Sequence, residues 1–454
     1  MQHASLTFAS SAIFALNLVA APLAAQDTDP APTEENVAEA PAEPAQPPAP
    51  PPPSPERLEA LAALDAAPVF DGHNDMPLQL RIRVDNQINT FDFTDTTGLE
   101  DAHPRGYPMH SDLTRLKEGR VGAQFWAIYV PATLPEPEAV RMTMEQIDVT
   151  KRLIARYPDE MAYAETADQI EIAMREGKLA SILAVEGGHS IGSSLAVLRQ
   201  FYALGVRYLT LTHVLNTPWA DSATDDPEHG GLSDFGKDVV REMNRMGMVV
   251  DLSHVSEDAM RDALAISRAP VIFSHSGAKA VNGHARNVPD DVLLRLRDNG
   301  GVIMLVGLPG YLNEDRRQWH SQHAAETARL AALNQGRPDL VDAGMAEWIE
   351  INPEPPTMIS HMADHIDHIK ALIGVEYIGI GGDFDGMPAG PVGFEDVSGY
   401  PALFEELVRR GYSQVELELI ANRNALRVLR EAERYAASQR GRPAIETLFK
   451  EPEE

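Results

Sequence analysis

The sequence predicts an α/β fold, a (β/α)8 TIM barrel with insertions, and three observations predict it. Eight short apolar runs rich in β-branched and aromatic residues recur along the chain. Most of them are separated by stretches with the three-to-four-residue apolar spacing of an amphipathic helix. The polar residues that end these runs always stand at the same, C-terminal, end. Near-continuous apolar strands alternating with amphipathic helices mean a parallel sheet covered by helices. Eight such units suit a closed barrel, which runs from roughly 200 to over 400 residues; an open doubly wound sheet is the alternative.

In order, the strand-like runs are Val69–Asp75, Ala123–Val130, Ala180–Glu186, Val206–His213, Met248–His254, Pro270–His275, Val302–Gly307 and Ile378–Asp383. Helical spacing marks Ser193–Leu204, Asp234–Met246, Glu257–Ser267 and Pro289–Asp298. Upstream, Ala12 to Ala21 is apolar but too short to span a bilayer, and small residues follow it to Ala25. Residues 1–25 therefore read as a signal peptide, which implies a periplasmic or secreted protein. Residues 26–55 are rich in Pro, Ala and Glu, with Pro50 to Pro53 in one run. Such a segment has little to bury and favours extended polyproline II, so it reads as a disordered, semi-rigid linker. The folded unit is expected over 56–454, with no transmembrane segment.

Hydrophobic residues at 44% and charged residues at 23% of the 454 permit a large core. The 68 acidic against 38 basic residues give a formal charge of -30. That balance argues against nucleic acid or an anionic membrane as partner, since both would be repelled. Cysteine is absent, which removes disulfides, thiol nucleophiles and Cys-based zinc sites.

The chemistry lies where the strands stop. The runs end in Asp71-Gly72-His73-Asn74-Asp75, Glu186-Gly187-Gly188-His189, Thr212-His213, Asp251-Leu252-Ser253-His254, Ser274-His275-Ser276 and Gly381-Gly382-Asp383-Phe384-Asp385. Imidazoles and carboxylates are costly to bury unless satisfied. In a parallel barrel all C-terminal strand ends open onto one face, so these distant residues converge. Neutral imidazole with carboxylate is a good donor set for zinc and related divalent ions. His73 and Asp75, two apart on a strand, can grip one ion. Glu186 can bridge two ions about 3.5–4 Å apart, and His254 with His275 would complete the second. The glycine pairs fit no phosphate-binding fingerprint and let the backbone approach the metals closely. His361, His365 and His368 share a helical face but carry Met362 where a zincin needs glutamate, so they read as helix-packing residues.

These blocks resemble the renal (membrane) dipeptidase family, the M19 peptidases. The resemblance rests on DGHNDMP at 71–77, VEGGHSI at 185–191, RYLTLTHVLNTPWADS at 207–222 and VDLSHVS at 250–256. It continues through RAPVIFSHS at 268–276, ARNVPDDVL at 285–293 and GGDFDGMP at 381–388. The resemblance implies a barrel of the metal-dependent hydrolase (amidohydrolase-like) type that binds two Zn2+ per chain. By the same resemblance His73 and Asp75 hold the first zinc, His254 and His275 the second, and Glu186 bridges them. His213 would contact the substrate and its developing oxyanion. Arg286 and Tyr311 would hold the substrate's terminal carboxylate, and Asp383 would stand by the bridging water. The implied activity is dipeptide hydrolysis by a metal-bridged hydroxide, making the chain a binuclear zinc metallo-dipeptidase. Another binuclear amidohydrolase activity, on lactams, N-acyl amino acids or cyclic amides, is the alternative. A homodimer is left open. The chain departs from the animal members in lacking cysteine, in its polar end, and in a long, partly helical segment from Asn313 to Thr357 on the active-site side.

Overall fold

The computed structural model describes residues 52–450; the expected signal peptide and most of the 26–55 linker lie outside the described residues. The first helix, Pro55–Ala66, is capped by Ser54, whose hydroxyl accepts from the Arg57 amide. Proline in its first turn costs nothing there, because that N–H has no helical partner.

Among the described residues nine parallel strands follow: β1 Val69–Asn74, β2 Val121–Tyr129, β3 Met161–Tyr163, β4 Leu179–Glu186, β5 Val206–Thr210, β6 Val249–Asp251, β7 Ile272–Ser276, β8 Val302–Val306 and β9 Ile378–Gly381. Each pairs with its neighbour in the order β2-β1-β9-β8-β7-β6-β5-β4, and β2 pairs again with β4 from Ala123↔Ala180 to Tyr129↔Glu186. That pairing closes an eight-stranded barrel and leaves it without an edge. The ninth strand, β3, was not foreseen. It pairs only with Leu179–Ser181 of β4, before β5 takes up β4 from Leu183 onward.

All eight expected runs form barrel strands, but four stop before the functional residue that their apolar run was expected to reach. β5 stops at Thr210 and β6 at Asp251, so His213 and His254 stand on loops beyond their strands. β9 stops at Gly381, short of Asp383. β1 stops at Asn74, and Asp75 is the N-cap of helix Met76–Val84. The barrel's strands end where the functional loops begin. Helices Leu195–Ala203, Asp234–Met246, Glu257–Ile266 and Asp290–Asn299 occupy the four expected spans. The second and third start on serine caps: Ser233 accepts from Gly236 N and Ser256 from Ala259 N.

Inside the barrel the rings of Phe70 (β1) and Phe125 (β2) stack at 5.1 Å, and Phe125 meets Tyr208 (β5) at 4.8 Å. A second layer of Val, Leu, Ile and Met lies between the strands and the surrounding helices. The expected segment from Asn313 to Thr357 forms helices Glu314–Leu333 and Pro338–Ile351, which between them bury only Met345. His365 is fully buried and structural: its Nδ1 accepts from Ala278 N and its Nε2 meets Leu312 O. Among the described residues no helix is long and apolar enough to cross a membrane.

Candidate metal centre and active site

At the C-terminal mouth of the barrel a cavity of about 300 Å3 is lined by Asp75, Glu186, His213, His254, His275, Arg286, Tyr311 and Asp383, with Leu78, Tyr129, Val214, Leu308 and Gly386 completing its wall. His73 lies fully buried beneath it. All nine residues singled out from the sequence are thus brought to one place.

Glu186, at the end of β4, is the hub. Its Oε1 lies 3.1 Å from His254 Nε2, 3.4 Å from His275 Nε2, 3.5 Å from His73 Nε2 and 3.9 Å from His213 Nε2. His73 Nε2 is also 3.3 Å from Asp75 Oδ2. Two ligands at about 2.0–2.1 Å from a tetrahedral ion stand about 3.3 Å apart, so these separations suit donors that share ions. The donor set groups as His73, Glu186 and His275; as Glu186, His213 and His254; and as His73, Asp75 and Asp383. His213 and Asp383 thus come within reach of the same cluster. His73 Nε2 is buried and has no hydrogen-bond partner, and the two ring nitrogens of His254 and His275 face each other at 3.0 Å. Lone pairs aimed at one point with nothing else to satisfy them fit a metal ion.

The rings are held from behind. Tyr208 donates its hydroxyl proton to Gly72 O at 3.1 Å, leaving its oxygen to accept from His73 Nδ1 at 2.9 Å. Ser274 donates to Asp251 Oδ2 at 2.6 Å and meets His275 Nδ1 at 2.8 Å. Asp251 also accepts from Thr210 Oγ1 at 2.5 Å and from the amides of Ser253 and Ser274. Each arrangement protonates Nδ1 and frees Nε2 to coordinate. Asp71 does similar work for the backbone, accepting from the amides of His73 and Gly382 and from the Tyr400 hydroxyl. It ties the ends of β1 and β9 together, and Asp383 N bonds His73 O at 3.2 Å. His254 and Asp383 adopt positive φ, 72° and 62°. Non-glycine residues rarely do so, and the left-handed turn aims each side chain into the mouth. Gly386 is required by close approach, since a Cβ there would stand 2.1 Å from Asp75 Oδ2.

The electrostatics are those of a buried charge cluster. Burial pushes Glu186 up to about 8, with Asp75 and Asp383 adding to it against His73. Burial likewise pushes Asp383 up to about 7. His73 goes the other way: burial opposes its charge, but Glu186 and Asp75 raise it to about 10. Burial, then Arg286, lowers His213 to about 3 and holds His254 well below the usual histidine range. Arg286 is only 1% exposed, with Nη1 on Ser276 Oγ at 3.3 Å, Nη2 on His275 O at 3.2 Å and Nε unpartnered. It lies 5.5 Å over the Tyr311 ring and does not pair with Asp290 or Asp291, which bind His368 and Arg261.

The family model described as membrane dipeptidase (peptidase family M19) matches residues 57–442. The chain belongs to the membrane dipeptidase family. It is a metal-dependent hydrolase of that family. Membrane dipeptidase relatives share much of its sequence: Dipeptidase 3 of Rattus norvegicus is 41% identical over 389 residues, 85% of this chain and 69% of the relative. Dipeptidase tcpJ of Claviceps purpurea is 42% identical over 380 residues, 82% of this chain and 78% of the relative. The probable dipeptidase PvdM of Pseudomonas aeruginosa superposes with a TM-score of 0.71 at 26% identity, covering 84% of this chain and 99% of that one. A metallopeptidase of Rhodobacter sphaeroides, solved with a phosphinate mimic of L-Ala-D-Ala, superposes with a TM-score of 0.65 at 25% identity, covering 81% and 99%.

Sequence reasoning missed Tyr208, Asp251, Ser274 and Tyr129. Asp251 and Tyr129 carry a usable signal, a polar group at the C-terminal end of an apolar run. Ser274 carries the same signal beside His275, whereas Tyr208 carries none, because its partners His73 and Gly72 belong to another strand.

Proposed function

We propose that His73, Asp75, Glu186, His254 and His275 hold two divalent ions, zinc by the family's habit, beside which the amide bond of a dipeptide is hydrolysed. The observation that carries this reading is the convergence of four imidazole nitrogens on Glu186 Oε1 within 3.9 Å, at the mouth of a barrel. When bound, such a pair of ions supplies a water acidic enough to ionise near neutrality and a Lewis acid for the scissile carbonyl.

The chain's own residues do the rest. Asp383, buried within reach of the cluster and with its carboxyl held up by burial, is suited to take the water's proton and return it to the leaving amine. His213 is neutral, so it can donate a hydrogen bond to the developing oxyanion without a competing charge. Arg286 presents a buried guanidinium fork for the substrate's carboxylate, backed by Tyr311. Anchoring the carboxylate at a set distance from the cluster measures the substrate and favours dipeptides. The N-terminal segment 1–25 supports a periplasmic or secreted location, which mass determination of the mature N-terminus tests.

The deciding experiment is metal analysis joined to a substrate panel. Reconstituted protein should hold about two zincs per chain and cleave Ala-Ala. One zinc with full activity would sink the bridged arrangement. Cleavage of lactams or N-acyl amino acids with none of dipeptides would move the chain to the alternative amidohydrolase activity.

A further inference from the structure

The catalytic cavity has a neighbour along the mouth of the barrel. It shares Leu78, Tyr129 and Gly386 with a second chamber of about 560 Å3. That chamber includes nothing of the Arg286–Tyr311 wall. Ile82, Met387 and Pro388 line it from the barrel side, and His103, Arg105 and Tyr107 from the segment between helix Met76–Val84 and β2. The segment is pinned in place. Arg83 donates to the carbonyls of Leu99 and Tyr107, and the His103 and Tyr107 rings stack at 5.0 Å.

The chamber's charges can be resolved one by one. Asp385 lines it, but this carboxylate is buried, accepts from His110 N at 2.7 Å and is offset by the nearby Arg83 guanidinium. Burial, Arg83 and Arg105 hold His103 below the usual histidine range. Arg105 has no hydrogen-bonded or ion-paired partner for its guanidinium among the described residues, although the chain as a whole carries a charge of -30. Its positive charge is the one left uncompensated on the chamber wall.

A dipeptide whose carboxylate rests on Arg286 and whose amide lies over the metal cluster must place its N-terminal residue at the remaining wall, made of Asp75, Leu78, Tyr129 and Gly386. Leu78, Tyr129 and Gly386 of that wall are shared with the chamber. The catalytic cavity, at about 300 Å3, is at the small end of ligand sites and leaves little room for a bulky side chain. We infer that the second chamber receives the side chain of the substrate's N-terminal residue, and that Arg105 selects large, negatively charged side chains over positively charged ones. The inference rests on the dipeptidase reading above and specifies its substrate class.

Phosphinate pseudodipeptides corresponding to Ala-Ala, Trp-Ala, Glu-Ala and Lys-Ala test it by calorimetry, without need of turnover. The wild type should bind the Trp analogue at least as well as the Ala analogue, and Glu better than Lys. Arg105→Glu should lower the Glu-to-Lys affinity ratio by roughly tenfold, since it turns one attraction into repulsion and one repulsion into attraction. Arg105→Gln should fall between. A ratio unmoved by Arg105→Glu, or a Trp analogue excluded while the Ala analogue binds, overturns the inference. Hydrolysis of Ala-Ala is scored separately: analogues that bind as expected with no turnover of any dipeptide would sink the dipeptidase reading and leave the chamber's selectivity standing. An Ala analogue that does not bind at all would sink both.

Discussion

Asp383 and Asp385 stand two residues apart, both buried and both at positive φ, yet their surroundings give them different work. Asp383 faces the ligand cluster, while Asp385 accepts from His110 N and returns a bond from its own amide to His110 Nδ1. Asp383→Asn should therefore keep its metals and lose roughly 10²-fold or more in kcat, the usual scale of acid–base catalysis. Asp385→Asn should act mainly on stability. A dead Asp385 variant beside a nearly normal Asp383 variant would reverse the assignment. The groups behind the ligands are testable in the same way. Ser274→Ala removes the hydroxyl that fixes the His275 tautomer, and should weaken metal binding by about 10–100-fold in a chelator competition. Ser274→Thr keeps the hydroxyl and should restore most of it. Equal affinity in wild type and Ser274→Ala would mean the Asp251–Ser274–His275 chain is only packing.

At the scale of elements, the barrel and its insertion have very different stakes in the fold. Helices Glu314–Leu333 and Pro338–Ile351 bury a single residue, Met345, and are held mainly to one another and to their own ends. Trp319 Nε1 bonds Asn352 O, and Arg316 pairs with Glu354. The two ends meet at the barrel, where Asn313 Nδ2 donates to Pro356 O at 3.0 Å. Replacing residues 314–355 by a short glycine linker should thus leave the fold and the metal content intact, with Tm changed by only a few degrees, because closing a short loop costs little. Failure to fold, or loss of metal, would show that the hairpin carries more of the structure than its burial indicates.

For the molecule as a whole, the buried cluster makes the metal-free protein sensitive to pH, and the sign follows from the shifts. Glu186 at about 8 and Asp383 at about 7 hold protons in the folded state that their unfolded forms, at 4.5 and 3.8, have already lost. His73, raised to about 10 from 6.5, does the same at higher pH. The folded state then binds more protons than the unfolded one, so stability falls as pH rises. His213, His254 and His275 are lowered and oppose this, but only while the unfolded histidines are still protonated, below about 7. From about pH 7 through 8 the carboxyls and His73 act alone. The Tm of chelator-treated protein should decline over that range, and zinc should abolish the decline by holding the ligands deprotonated. A metal-free Tm that is flat or rising there would contradict the cluster's electrostatics.

The barrel, its eight strands and the residues that converge at its mouth were legible in the amino-acid order itself. Hydrophobic periodicity is a local property, and an imidazole or carboxylate placed at the end of an apolar run has few inexpensive explanations. Spacing alone could not give the ends of the strands, because His213, His254 and Asp383 stand on loops beyond them, the last two at positive φ. Nor could it give Tyr208 behind His73, Asp251 behind Ser274, or the union of the Leu78–Tyr129–Gly386 wall with Arg105. Those relations exist only between strands and loops far apart in the chain. Periodicity determined which residues would meet at the mouth of the barrel; closure of the barrel decided which atoms face one another there, because only closure sets β1 beside β9 and brings β5 across to β1.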